Sequence, residues 1–80
     1  PAVARKKLSY KEQRELDALP TTIAALEEEQ QRISETLALD GGAIYASDAT
    51  HAAALPERHA RIDEELLAAL ERQEALGATR

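Results

Sequence analysis

A chain of 80 residues with no Cys, Trp, Phe or Met, and with Tyr10 and Tyr45 as its only aromatics, holds one small domain and no more. Without cysteine, a disulfide framework and a Cys-based zinc site are excluded. No apolar run approaches a membrane span and no secretory signal pattern is present, so an intracellular, soluble location is the default expectation.

The net charge of −5 is unevenly spread. Residues 1–14 set Arg5, Lys6, Lys7, Lys11 and Arg14 against Glu12 alone, a balance of +4; residues 15–80 set five Arg against fourteen acids, a balance of −9. The pattern is a basic arm on an acidic body, and only the arm suits phosphate contact. The apolar content is mostly Ala and Leu, and with Glu, Arg and Gln these are strong helix formers. No β-branched or aromatic run of strand length occurs, which points to an all-α fold.

Residues 1–8 carry no helical pattern and read as the end of a basic linker, so the chain reads as a segment of a longer protein with a domain over 9–80. Ser9 stands three residues before Glu12, the spacing of a capping box, and starts a first short helix over about 10–19. Pro20 lacks a backbone donor and crowds the preceding turn, so a break is expected there. From Leu16 the apolar positions are Leu16, Leu19, Ile23, Leu26, Gln30, Ile33 and Leu37, alternating steps of 3 and 4. That is a heptad seam with one polar lapse at Gln30. A helix over about 21–39 would be about 28 Å long at 1.5 Å per residue.

Asp40-Gly41-Gly42 ends that helix, because glycine accepts the left-handed backbone of a helix C-terminus. Residues 40–48 connect, with Ile44 and Tyr45 folding back over the tip, and Ser47 or Asp48 caps the next helix. The last helix is expected over about 49–76. Its seam is Ala52, Leu55, His59, Ile62, Leu66, Ala69, Gln73 and Leu76, with Leu67 and Leu70 widening the apolar face. Pro56 predicts a kink or late restart, and Gly77 a stop. Two such stripes pack as an antiparallel two-helix coiled-coil hairpin, preceded by the short helix broken at Pro20. Such a hairpin buries little area, and a second copy would complete a four-helix bundle at high concentration.

Residues with chemical potential are sparse. Ser9, Ser34 and Ser47 have no base partner in the pattern, so no nucleophilic site is expected. Gly41-Gly42 lacks the Gly-Lys-Ser/Thr that makes a phosphate loop. His51 and His59 are two helical turns apart, too far for joint chelation. The runs Glu27-Glu28-Glu29 and Asp63-Glu64-Glu65 read as solvated helix faces. The cluster Arg5, Lys6, Lys7, Lys11 and Arg14 is different: five cations in ten positions suit salt-sensitive phosphate binding, and Tyr10 among them can stack on an exposed base. An ordinary solvated linker is the plainer reading of the same residues.

The stretch Leu8-Ser9-Tyr10-Lys11-Glu12-Gln13-Arg14-Glu15-Leu16-Asp17-Ala18-Leu19-Pro20 closely resembles the opening of the C-terminal domain of Uup-type ABC-F ATPases, where a basic linker and a K-L-S-[YF]-K-E-Q-R-E-L-x-x-L-P segment precede a coiled-coil hairpin. In layout the resemblance covers essentially the whole chain. At the tip the family has Asp-Pro where this chain has Asp40-Gly41, and near the end an aromatic pair where Leu70 and Gln73 stand. The resemblance implies a cytoplasmic bacterial parent with two ATP-binding cassettes, using ATP and Mg, and no transmembrane domain. It implies a fragment that is not itself an enzyme and holds no cofactor. Its expected partners are DNA or rRNA, the ribosome and the parent cassettes. Arg5, Lys6, Lys7, Lys11 and Arg14 become the expected phosphate contacts of a DNA-binding coiled coil. Docking of the hairpin on a ribosomal protein or on the parent, through its acidic outer face, is the alternative.

Overall fold

The computed structural model describes residues 8–79, and among them no strand occurs. Helix α1 spans Tyr10–Ala38, a single 3₁₀ turn follows at Leu39–Gly41, α2 is one turn at Ile44–Ser47, and α3 spans Ala49–Thr79. The molecule is a narrow rod of 62 × 17 × 16 Å. The two long helices pair antiparallel, since Glu15 meets Arg72 near one end and Glu29 meets Arg58 nearer the other. The expected hairpin is therefore the fold.

Helix α1 starts where the capping box requires. Ser9 holds an extended backbone, the Glu12 N–H donates to its Oγ at 3.1 Å, and its own N–H donates to Glu12 Oε1 at 3.0 Å. Two N–H groups that a helix start would leave unpaired are thus satisfied. Leu8 just before the cap packs, half-buried, against the cluster of Leu16, Leu19, Ala69 and Leu76 at the base of the rod.

The expected break at Pro20 does not occur: α1 runs through it as one helix of 29 residues. Magnitudes explain why. A proline in a helix interior costs about 3 kcal/mol. Burying a leucine stabilises by about 1.5–3 kcal/mol, and a break would release two buried ones, Leu16 and Leu19, from the seam. The proline itself lies on the exposed side. Pro56 is likewise exposed, and α3 runs from Ala49 through it without a restart. Gly77 does not stop α3, which continues to Thr79; its φ lies outside the left-handed region that Gly41 and Gly42 occupy.

At the tip, Asp40, Gly41 and Gly42 take φ of 49°, 66° and 88°, three left-handed residues in succession, and this reverses the chain. The Gly42 N–H donates to the Leu39 carbonyl at 3.0 Å. Tyr45, on the added helical turn α2, lays its ring against Gly42, so that a Cβ there would stand 3.3 Å from the ring. Asp48 caps α3, accepting from the His51 N–H at 3.1 Å, while the Ser47 hydroxyl donates instead to the Ala43 carbonyl.

The 3–4 seam is the core. Leu16, Leu19, Ile33, Ala52, Ile62, Ala69 and Leu76 are buried, Ile62 and Ala52 completely. The other seam residues, Gln30, His59 and Gln73 included, are half-buried. Leu67 and Leu70 do not widen this core; they stay 58% and 49% exposed. The polar lapse is matched across the helices: the Gln30 amide donates to the His59 carbonyl at 3.3 Å and to the Asp63 carboxylate. A polar group at one seam position favours the register in which it finds its partner.

Candidate nucleic-acid interface

The first two turns of α1 carry the described part of the basic cluster. Tyr10, Lys11 and Arg14 are all exposed, Tyr10 to 78%. Helical spacing puts them together on the outer side of α1, away from the seam stripe of Leu16, Leu19 and Ile23. The Arg14 guanidinium sits 5.7 Å from the centre of the Tyr10 ring, a cation–π contact one turn apart. Arg5, Lys6 and Lys7 lie outside the described residues.

Three of the remaining described cations are ion-paired, and Arg61, exposed on α3, forms no ion pair with a described carboxylate. Arg58 forks onto Glu29, Nε to Oε2 at 2.7 Å and Nη2 to Oε1 at 2.9 Å, and its Nη1 reaches Glu65 at 3.1 Å. Arg72 forks onto Glu15 at 2.6 and 3.0 Å. Arg32 stands 3.7 Å from Glu28 on the same helix. These pairs leave a trace in acidity. The Arg58 hydrogen bonds hold Glu29 below the usual carboxylate range, and those of Arg72 do the same for Glu15, with a smaller pull from Lys11. Both guanidiniums are pushed up in turn, Arg58 by Glu29 first and then Glu65, Arg72 by Glu15.

Arg58 and Arg72 are thus bound across the hairpin, and Arg32 makes one exposed contact along its own helix. Lys11 and Arg14 form no ion pair within 4 Å with a described carboxylate, and their charge faces solvent. The capping box uses the Ser9 and Glu12 N–H groups at this end. The fold brings Tyr10, Lys11 and Arg14 together on the outer side of one helical end, while Glu15 at the same end is turned toward Arg72 across the hairpin.

Elsewhere the chemistry is structural. His51 stands 3.8 Å from Asp48, and the backbone of His59 serves the seam. Among the described residues no cluster of three His, Asp or Glu side chains is placed to hold a metal ion, and no helix is long and apolar enough to cross a membrane. The cross-helix forks of Glu15 on Arg72 and Glu29 on Arg58 went unread in the sequence. Their signal was present, since acids beside one seam and arginines beside the other are what interhelical bridges need, but pairing them requires the register.

The family model described as ABC transporter C-terminal domain matches residues 7–78. No curated protein matches the chain, and no solved structure does. With nearly its whole length matched, from just before the Ser9 cap to the last turn of α3, the chain belongs to the ABC transporter C-terminal domain family and is a helical module of an ABC protein.

Proposed function

We propose that this hairpin is the C-terminal module of a Uup-type ABC-F ATPase and that it binds nucleic acid, DNA foremost, through Lys11 and Arg14 with Tyr10 beside them. The observation that carries the proposal is the clustering of unpaired cations beside an exposed ring at one helical end. Arg58 and Arg72 are bound across the hairpin and Arg61 stands singly among the acids of α3, whereas Lys11 and Arg14 present unpaired charge together on an exposed helical end beside an exposed ring. Arg5, Lys6 and Lys7 adjoin that end in sequence and would extend the contact along the phosphates. Tyr10 offers a face on which an unpaired base stacks.

The module then works in the cytoplasm, tethering the parent to its target, while ATP and Mg act in cassettes elsewhere in that parent. The test is replacement of Lys11 and Arg14 by Ala in the 80-residue chain, read by anisotropy of labelled duplex DNA, rRNA fragments and ribosomes across a salt series. Each lost phosphate contact lowers the log–log salt slope by about 0.9, so the double variant should lose about two units of slope. Ribosome binding that survives the double substitution unchanged would instead support docking through protein.

A further inference from the structure

Leu67 and Leu70 lie one turn apart on α3, and both are about half exposed. At about 100° per residue, the seam positions Ile62, Leu66, Ala69, Gln73 and Leu76 form one stripe of α3. Asp63, Leu67, Leu70 and Glu74 form the next, with Glu64 and Glu71 along its outer edge. All four acids are exposed. Arg58, Arg61 and Arg72 fall on the opposite flank, where Arg58 and Arg72 are engaged with Glu29, Glu65 and Glu15. Among the described residues, α3 therefore keeps its cations on one flank, two of the three bound into the hairpin, and carries on the other an apolar strip edged by four carboxylates with no α3 cation beside it.

Charge selects the occupant of that strip. Phosphate chains are repelled by it. A second copy docked isologously would set the same carboxylates against each other. A cationic amphipathic helix fits both features: apolar residues spaced three or four apart cover the leucine pair, and Lys or Arg at the margins reach Asp63, Glu64, Glu71 and Glu74. We infer that the Leu67–Leu70 strip is a docking surface for a cationic amphipathic helix of a protein partner, separate from the basic end at Tyr10, Lys11 and Arg14. Two leucines make a small contact, which suits transient association.

The experiment uses the 80-residue chain and two labelled helical peptides with leucines at heptad spacing, one filled with lysine and one with glutamate. The chain should bind the leucine–lysine peptide and not the leucine–glutamate one. Leu67→Gln with Leu70→Gln, and separately Glu71→Gln with Glu74→Gln, should each weaken binding by about tenfold while circular dichroism stays unchanged. Equal binding by wild type and both variants would overturn the assignment, since attraction would then be diffuse. So would equal binding of the glutamate peptide, or a dimer in sedimentation that the leucine variant disperses. DNA binding should be untouched by Leu67→Gln and Leu70→Gln; its loss in a folded variant would mean that the strip and the basic end are one site.

Discussion

Replacing Ile62 by Ala probes the seam where it is tightest. Ile62 is the largest side chain in the hairpin with no exposure at all. It lies in the middle of α3, with the buried Ile33 on the facing helix contributing to the same seam. Truncating a buried isoleucine costs 2–5 kcal/mol, about 3 in a typical site, by lost transfer energy and the cavity left behind. An 80-residue domain has roughly 4–12 kcal/mol of stability in all, and a two-helix hairpin belongs near the low end because it buries one stripe per helix. Ile62→Ala should therefore remove a large share of the fold's stability. At 4–8 °C per kcal/mol for a domain of this size, the midpoint should fall by about 12–24 °C. Leu67→Ala is the control, because a side chain 58% in water should cost less than about 1 kcal/mol. Thermal melts followed at 222 nm read both variants. Equal shifts for the two, or a loss under about 1 kcal/mol for Ile62→Ala, would refute the assignment of the seam.

Three further outcomes follow from the same geometry. Pro20→Ala restores an N–H one turn after Leu16 on an exposed side of α1, so the melting point should rise, by up to about 3 kcal/mol of stability, with helix content unchanged; a fall in melting point would show that the ring is needed. Among the glycines the signs should differ. Gly42→Ala meets both a left-handed φ of 88° and the Tyr45 ring and should lose at least about 1–2 kcal/mol, whereas Gly77→Ala meets open space inside a helix and should gain about 0.5–1 kcal/mol; denaturant melts that reverse this order contradict the tip geometry. Glu15 and Glu29 have folded-state acidities below the ordinary carboxylate value of 4.5. Their contribution is therefore fully present above about pH 4.5 and is lost as pH falls through the lower folded values. A pH series of melts should show this acid loss, and Glu15→Gln with Glu29→Gln should flatten it.

The seam was legible because alternating steps of 3 and 4 are a direct consequence of one helix facing another, and every residue so chosen proved buried or half-buried. Ser9 with Glu12, and Asp48 before α3, were legible for the same local reason: caps are set by side chains a few residues away. The prolines were misread because their local cost is smaller than the burial that holds the helix together across them, and that burial depends on the partner helix. Gly77 was misread because glycine permits a stop without requiring one. Leu67 and Leu70 looked like core on composition, and only the position of α1 against α3 shows that they face outward. At the candidate site, the sequence named Tyr10, Lys11 and Arg14, and the fold adds the reason to single them out: they share one exposed helical end, whereas Arg58 and Arg72 are bound across the hairpin.

The salt dependence of DNA binding tests the central claim most directly. With five cations available, Arg5, Lys6, Lys7, Lys11 and Arg14, log K plotted against log salt should fall with a slope steeper than about −2 and no steeper than about −4.5. The Lys11→Ala, Arg14→Ala variant should be shallower by about 1.8 at unchanged helix content. A slope near zero, or one that the two substitutions leave unmoved, would contradict a nucleic-acid role for this end of the hairpin.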